Sequence, residues 1–355
     1  MANSSEHEPS SKGTELSDAE QKQQEDLLKA ASMQGKDQAL VTNIYTADPS
    51  AHVFEGKIYI YPSHDIESEA STNDDGDQFA MRDYHVLSVD SDTGQATDHG
   101  IALVVDDIPW ASKQLWAPDA AYKNGQYYFY FPARDHQGIF RIGVAVSDKP
   151  AGPFKAEEDY MAGTYSIDPA VFEDHDGAFY MYWGGIWGGQ LQNWRDGAFD
   201  AENVYPADDQ PAYPPRVAKL SEDMLSLAET PKDILIYDEN GQLLTAGDTE
   251  RRFFEASWLH QHQSKYYFSY STGDTHKIVY ATGDNPYGPF TYQGVILNPV
   301  LGWTNHHSIT QYQGKWYLFY HDSSLSDGQT HLRCVKMCEL VHDESGNITT
   351  IDAYL

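Results

Sequence analysis

Cysteine is nearly absent from the sequence, with two residues, Cys334 and Cys338, among 355. On a strand, residues four positions apart share a face at a separation too long for a disulfide without a bend. A zinc site would need more ligands close by. The sequence therefore predicts two thiols and no disulfide.

Positive charge and long apolar runs are also scarce. Lys and Arg number 23 against 54 Asp and Glu, which gives a formal net charge of −31. This argues against nucleic acid and membrane as partners, because both need a basic surface on the protein. No run approaches the roughly 20 apolar residues of a membrane span, and residues 1–7 lack the pattern of a secretion signal. We expect a cytoplasmic protein, although a chain whose leader had been removed would read the same way.

Aromatic residues are abundant, at 13% of the chain, and many belong to five similar units. Each unit has a polar residue before a short apolar run, then a second, aromatic-rich run. In four units the runs are joined by a Glu-Gly, Asn-Gly, Asp-Gly or Gln-Gly turn, which predicts β-hairpins. The leading polar residues are 71, 49, 87 and 51 positions apart: Asp48, Asp119, Asp168, Glu255 and His306.

These spacings predict an all-β fold, a five-bladed β-propeller over 41–355, because propeller blades repeat at roughly 40–50 residues. The two long spacings require insertions, for which 66–80 and 186–214 are suitable. A β-sandwich is the alternative, but it does not require an ionisable residue at the same point of each hairpin. In a propeller the innermost strands start around one axis, so the five polar side chains are expected to converge on one pocket.

Residues 1–40 are a polar extension that we expect to be partly disordered or helical. Leu27, Leu28 and Ala31 offer a small apolar stripe. This predicts a short helix on the outside of the propeller, or a tail, with no part in the chemistry.

Several carboxyl groups in one pocket have pKa values that are pushed apart, because like charges oppose each other's ionisation. Glycoside hydrolysis needs that difference, since one carboxylic acid protonates the leaving oxygen and one carboxylate activates water. Glu255 follows Phe254 and precedes Ala256, an apolar setting that should raise its pKa. Asp48 and Asp168 each precede a proline, a pairing that also occurs in ordinary turns.

Five motifs together resemble those of glycoside hydrolase family 43 over about 45–345: Ala47-Asp48-Pro49-Ser50, Trp116-Ala117-Pro118-Asp119, Ser166-Ile167-Asp168-Pro169-Ala170, Phe254-Glu255-Ala256-Ser257 and Asn305-His306-His307-Ser308-Ile309. The resemblance implies a five-bladed propeller of the inverting type, mostly β-xylosidases, α-L-arabinofuranosidases and arabinanases. It also implies Asp48 as general base, Glu255 as general acid and Asp168 as the group that orients the acid and tunes its pKa.

The resemblance extends to a possible metal. His306 matches a position at which the family places a histidine near the propeller axis, in contact with calcium that has mostly water ligands. Calcium prefers oxygen ligands, so a histidine held only by hydrogen bonds in the pocket is the alternative. No organic cofactor is expected.

Other residues are expected near the sugar. Trp116 is predicted to form a wall of the sugar subsite, with a blade-core tryptophan as the alternative. Arg333 is predicted beside the acids, where a cation helps to keep Asp48 ionised, with a surface arginine as the alternative. His307 and His52 complete the predicted substrate contacts, whereas Asp119 is expected to be more structural than catalytic.

The function expected from the sequence is exo-acting release of terminal pentoses from short xylo-oligosaccharides, as a β-D-xylosidase with α-L-arabinofuranosidase side activity. The segment Trp187–Trp194 could help to close the pocket, which suits exo action. An α-L-arabinofuranosidase or an arabinanase is the alternative within the same chemistry. A non-catalytic sugar-binding propeller is the alternative of another class, and the presence of all three acids argues against it.

Overall fold

The computed structural model describes residues 16–34, 37–90 and 93–354, without the side chains of 33 and 34. Residues 1–15 of the extension that is predicted to be partly disordered or helical lie outside the described residues. Within the described ranges, one α-helix, α1 (Asp18–Gln34), precedes the strands. No helix in these ranges is long and apolar enough to cross a membrane.

The strands form five sheets, which are the five predicted blades. Their bounds are, for blade 1, β1 (Tyr45–Phe54), β2 (Lys57–Asp65), β3 (Asp83–Val89) and β4 (Ala96–Val104); for blade 2, β5 (Ala111–Lys113), β6 (Asp119–Lys123), β7 (Gln126–Asp135), β8 (Phe140–Ser147) and β9 (Lys155–Ala156); for blade 3, β10 (Ala170–Glu173), β11 (Phe179–Trp183), β12 (Arg216–Lys219) and β13 (Lys232–Asp233); for blade 4, β14 (Ile236–Tyr237), β15 (Glu255–His262), β16 (Lys265–Ser271), β17 (Ile278–Gly283) and β18 (Phe290–Leu297); and for blade 5, β19 (His307–Tyr312), β20 (Lys315–Asp322) and β21 (Cys334–Leu340). The prediction of a five-bladed propeller is confirmed.

Turn chemistry explains why the hairpins form where the sequence predicts them. Asn124 and Gly125 both have positive φ, 52° and 85°, which is the type I′ geometry that matches the twist of two antiparallel strands. Asn and Gly are among the residues that tolerate this conformation. The Glu55-Gly56 and Gln313-Gly314 turns have the same pair of positive φ values.

The aromatic-rich second strand of each hairpin packs between neighbouring blades. Phe129 on β7 is fully buried and contacts Tyr61 of blade 1, with ring centroids 5.9 Å apart. Phe268 on β16 lies in the same way 5.9 Å from Tyr182 of blade 3. Burying each such ring stabilises the fold by about 1.5–3 kcal/mol, so the repeated aromatic pattern supplies the inter-blade core.

The ring closes by contacts between the first and last blades. The Thr46 N–H donates to the Arg333 carbonyl at 2.9 Å, and the Val335 N–H donates to Thr46 Oγ1 at 3.2 Å. Further along β1, the Ala51 N–H donates to Ser308 Oγ at 3.0 Å. These bonds bring side chains from the two ends of the propeller sequence to the same axis. Cys334 and Cys338, both on β21, are thiols and not a disulfide, as predicted.

Irregular backbone marks the axial end of three innermost strands. The β1–β2 register shifts between Ala47 and Ser50, and the β15–β16 register shifts between Glu255 and Trp258. Asp48 has φ 51°, Asp168 59° and Ala256 64°. Bulges redirect side chains, and residues other than glycine in this conformation concentrate at functional sites. The irregular backbone therefore sets the side-chain directions of the three segments that contain Asp48, Asp168 and Glu255.

Asp119 has a different role from the other leading polar residues because it joins blades. Its buried carboxylate accepts the Ala120 N–H at 2.7 Å and the Val171 N–H of blade 3 at 2.6 Å. It also contacts His52 Nε2 of blade 1 at 2.5 Å. One carboxylate thus satisfies donors from three consecutive blades.

We expect Asp119→Ala to lower the free energy of unfolding by about 2–4 kcal/mol, because two buried N–H groups and an imidazole lose their acceptor. Urea denaturation measures the change. Glu158→Ala, at an exposed position, is the control and should change stability by less than about 0.5 kcal/mol. An Asp119→Ala protein as stable as the control would show that the three blades do not depend on this carboxylate.

Candidate active site

A pocket of about 640 Å³ opens at one end of the propeller. This lies within the usual range of ligand sites, roughly 300–1,000 Å³. Four of the five leading polar residues line it: Asp48, Asp168, Glu255 and His306. Asp119 lies between blades, so the expected convergence of all five is corrected to four.

Asp48 is a buried carboxylate held by several partners. Arg333 Nη1 donates to its Oδ1 at 3.1 Å, and Ser63 Oγ donates to its Oδ2 at 2.7 Å. Burial by itself raises the pKa of Asp48, but Arg333, two neighbouring histidines and Ser63 outweigh burial and lower the pKa to about 2. Asp48 is therefore ionised at neutral pH.

A second carboxylate fixes the arginine that holds Asp48. Asp65, at the end of β2, accepts from Arg333 Nε at 2.8 Å and from Arg333 Nη2 at 2.8 Å. It also accepts the Arg333 backbone N–H at 2.9 Å. This two-pronged pairing restricts the guanidinium to one orientation. Sequence reasoning missed Asp65.

His321 is another site residue that sequence reasoning missed. Its Nδ1 accepts the Asp48 backbone N–H at 3.0 Å, and its Nε2 lies 3.0 Å from the Thr304 carbonyl, to which it donates. Burial lowers the pKa of His321 to about 4, so the ring is neutral and can accept at Nδ1. The repeated His-Asp ending of β2 and β20 was a usable signal for both Asp65 and His321.

Glu255 and Asp168 have raised pKa values, in contrast to Asp48. Burial and the charge of Asp48 raise the pKa of Glu255 to about 8. Burial and the nearby Glu255 also raise the pKa of Asp168, which accepts the Ala256 N–H at 2.9 Å. The pair therefore keeps a proton at neutral pH. Asp168 also fixes the backbone immediately after Glu255.

His306 lies between the two kinds of carboxyl group. Its Nδ1 is 3.5 Å from Asp48 Oδ1 and 4.0 Å from Asp168 Oδ2. Burial lowers the pKa of His306 to about 4, so the imidazole is neutral and one nitrogen has a lone pair for a cation. Calcium takes six to eight oxygen ligands, and the carboxyl groups of Asp48 and Asp168 supply only part of that number. The residues fit calcium only if water completes its coordination.

The remaining described residues contain one compact group of metal-binding side chain types, His64, Asp83 and His85 of blade 1. None of these three lines the pocket. His85 Nδ1 also pairs with Asp98 Oδ1 at 2.8 Å.

Aromatic side chains form the pocket wall, and Trp116, the predicted wall of the sugar subsite, is among them. Trp116 Nε1 donates to the Phe79 carbonyl at 2.9 Å. The Arg333 guanidinium lies 4.8 Å from the centre of the Phe79 ring. Trp187 and Trp303 stand 5.5 Å apart. Flat apolar faces near a few fixed polar groups are typical of a site for a small organic ligand.

Two predicted insertions meet at this wall. Ile186, Trp187 and Gly188 line the pocket from the blade 3 insertion. A Cβ on Gly188 would lie 2.7 Å from the Asp75 carbonyl oxygen of the blade 1 insertion, so only glycine permits this approach. The predicted closing segment thus begins at the pocket.

His52 and His307 do not reach the pocket, which corrects the prediction that they contact substrate. His307 is buried with Nε2 2.6 Å from Ser269 Oγ. It follows His306 directly, and successive side chains on a strand point in opposite directions. His52 is four residues beyond Asp48, roughly 13 Å at about 3.3 Å per residue, and contacts Asp119 instead.

A β-propeller whose pocket opposes an ionised carboxylate to a protonated carboxyl group has the machinery of a glycoside hydrolase. The model of the glycosyl hydrolases family 43 matches residues 41–347. The chain belongs to this family.

The chain is also similar to named relatives and to a solved structure of this family. A xylosidase/arabinosidase of Bacteroides ovatus is 60% identical over 314 residues, 88% of this chain and 97% of the relative. Xylosidase/arabinosidase 43A of Humicola insolens is 61% identical over 320 residues, 88% of this chain and 98% of the relative. The solved structure of CoXyl43, a β-xylosidase/α-arabinofuranosidase from a compost microbial metagenome, has a TM-score of 0.89 and 64% identity, covering 91% of this chain and 99% of that one. It is described as a calcium-free form in complex with xylotriose.

The pH profile of kcat/KM should reflect the two opposed carboxyl groups. Activity is expected to fall above about pH 8, where Glu255 loses its proton, whereas protonation of Asp48 is expected to limit activity only well below pH 4. Arg333 lowers the pKa of both groups. Arg333→Met should therefore move both limbs of the profile to higher pH, the acidic limb by about one unit or more.

Arg333→Lys is the matched control for that profile. It retains the charge but loses the fork that Asp65 binds, so kcat is expected to fall while the limbs stay near those of the wild type. Circular dichroism verifies that both variants are folded. Limbs that do not move in folded Arg333→Met would contradict the assigned electrostatic role.

Proposed function

We propose that this enzyme is an inverting exo-β-D-xylosidase that releases xylose from the ends of short xylo-oligosaccharides, with α-L-arabinofuranosidase side activity. The observation that carries the proposal is the pairing of ionised Asp48 with protonated Glu255 in one walled pocket. The names of the relatives, xylosidase/arabinosidase, and the xylotriose bound to CoXyl43 support the choice of sugar.

The reaction follows from the two protonation states. Asp48 takes a proton from water as the water oxygen attacks the anomeric carbon. Glu255 gives its proton to the glycosidic oxygen as the bond between that oxygen and the anomeric carbon breaks. Attack from the face opposite to the leaving group inverts the configuration. For this mechanism the carboxyl groups of Asp48 and Glu255 are expected to be about 6.5–9.5 Å apart, which leaves room for the water.

The surrounding residues prepare these steps. Arg333, fixed by Asp65, keeps Asp48 ionised and ready to accept a proton. Asp168 accepts the Ala256 N–H and so holds the backbone that presents Glu255. Its proximity to Glu255 favours a retained proton in the pair. Each group that transfers a proton thus has a partner that sets its state before substrate arrives.

The pocket shape supports exo action. Asp48, Asp168 and Arg333 are buried in the pocket lining, and the blade 1 and blade 3 insertions meet at its wall. A chain end can enter such a pocket, whereas the interior of a long polymer needs an open cleft. Xylopyranose and arabinofuranose present similar hydroxyls, which is the basis for the proposed side activity.

We propose that His306 is a ligand of a bound calcium ion. The neutral ring of His306 faces the ionised Asp48 and the carboxyl group of Asp168, and the description of CoXyl43 as a calcium-free form connects a relative with this ion. When bound, the cation would add positive charge beside the acids.

Chelation tests the proposed metal. Treatment with EDTA should lower kcat, and added Ca²⁺ should restore it. His306→Ala should have low activity that neither treatment changes. A thoroughly chelated wild-type enzyme with full activity would indicate that His306 acts only as a neutral polar group in the pocket.

The role of each acid is tested by replacing it and comparing substrates whose leaving groups do or do not need a proton. Glu255→Gln should lower kcat/KM for xylobiose by about 10²–10⁴-fold, but much less for 2,4-dinitrophenyl β-D-xyloside, whose leaving group needs no proton. Asp48→Asn should impair both substrates similarly, because both need an activated water. Glu158→Gln, at an exposed position, is the control.

Equal losses on both substrates in Glu255→Gln would contradict its role as general acid. The sugar is tested in parallel on 4-nitrophenyl β-D-xylopyranoside and 4-nitrophenyl α-L-arabinofuranoside. Faster turnover of the arabinoside would favour the alternative α-L-arabinofuranosidase function.

A further inference from the structure

Helix α1 is an addition to the part of the chain that matches the family. The family match begins at residue 41, after the end of α1 at Gln34. The chain spans 97–99% of the three relatives described above with 88–91% of its own length. The helix therefore lies outside the residues that the family model matches.

One face of α1 borders the active-site pocket. Leu16, Glu20, Gln24 and Leu28 recur every four residues and all line the cavity that contains the catalytic acids. Residues at this spacing lie above one another on a helix. A stripe from Glu20 to Leu28, with Glu25 beside it, thus faces the pocket along about half of the helix, and Leu16 lies just before its start.

The neighbouring stripe attaches the helix to the propeller. Leu27, Ala30 and Ala31 pack against the apolar core of the blades. The Gln24 side chain makes two bonds to the backbone of Gly302, accepting its N–H at 3.0 Å and donating to its carbonyl at 3.3 Å. The residues after Gly302 are Trp303 and Thr304, which line the pocket. The helix is thus connected directly to the pocket wall.

The start of α1 is fixed by a capping box. The Ser17 N–H donates to Glu20 Oε2 at 2.7 Å, and the Glu20 N–H donates to Ser17 Oγ at 3.3 Å. This reciprocal pair satisfies two otherwise unpaired backbone donors. It holds Glu20 in the first turn, where that residue borders the pocket.

The exposure of the lining residues places α1 at the mouth of the pocket. Asp48 and Asp168 are buried, at 7% and 4% exposure, whereas Leu28 is 37% exposed. A terminal xylose bound beside the acids directs the rest of its chain, the leaving group, toward the solvent. A helix at the mouth narrows the space for that leaving group.

We propose that α1 is a specificity element that limits the length of the leaving group, so that the enzyme favours xylobiose over longer xylo-oligosaccharides. This inference rests on the proposed function. It replaces the sequence-based expectation of a helix outside the propeller with no part in the chemistry.

The test compares kcat/KM for xylopentaose and xylobiose in the full chain. Gln24→Ala combined with Leu27→Glu removes both attachments of the helix. The ratio of kcat/KM for xylopentaose to that for xylobiose should rise about fivefold or more. Leu28→Trp should lower the ratio, because it enlarges the helix at the mouth. Lys29→Ala, on the same helix but outside the pocket lining, is the matched control.

A ratio that stays the same in the detached and the Leu28→Trp variants would overturn the inference. Failure of the proposed function is recognised separately, as a wild-type chain that hydrolyses neither oligosaccharide. In that case the same variants are compared on arabinobiose and arabinopentaose. Tryptophan fluorescence measures oligosaccharide binding to the same variants in a Glu255→Gln background, in which turnover is slow. The ratio of the affinities for the long and the short oligosaccharide then decides the inference, whichever sugar is hydrolysed.

Discussion

The ion pair between Arg333 and Asp65 is the interaction on which the active site depends. Arg333 is buried, and two bonds of 2.8 Å to Asp65 compensate for the loss of water around its charge. One nitrogen remains to bind Asp48 at 3.1 Å. Asp65 belongs to the first blade and Arg333 to the segment entering the last strand, so closure of the ring and ionisation of Asp48 depend on the same contact.

The rest of the site can be understood from that fixed charge. Asp48 is ionised because it lies next to the guanidinium, and its negative charge then disfavours ionisation of Glu255. Burial acts in the same direction on Glu255, since a carboxylate is poorly solvated beneath the pocket wall. Two chemically similar groups thereby hold opposite protonation states. The propeller contributes five innermost strands that start around one axis, which lets residues far apart in sequence share this small volume.

The sequence was sufficient for the fold and for most of the site because both repeat locally. Each hairpin carries its own turn residues and its own leading polar residue, so five blades and the pocket positions of Asp48, Asp168, Glu255 and His306 could be predicted. Asp65 and His321 could not be assigned roles in this way, because their partners lie more than 200 residues away. The errors at His52 and His307 came from strand geometry, because His52 lies too far along β1 from Asp48 and His307 points away from the pocket. The position of α1 could not be predicted either, because it depends on a contact between Gln24 and Gly302, which are far apart in the sequence.

The central claim is that one pocket holds two carboxyl groups whose pKa values are shifted in opposite directions. Titration of the side-chain carboxyl carbons by ¹³C NMR measures these values directly, with Asp48→Asn and Glu255→Gln used to assign the signals. The account predicts that Asp48 titrates near 2 and Glu255 near 8. Titration of both groups near 4, the ordinary value of an exposed carboxyl, would contradict it.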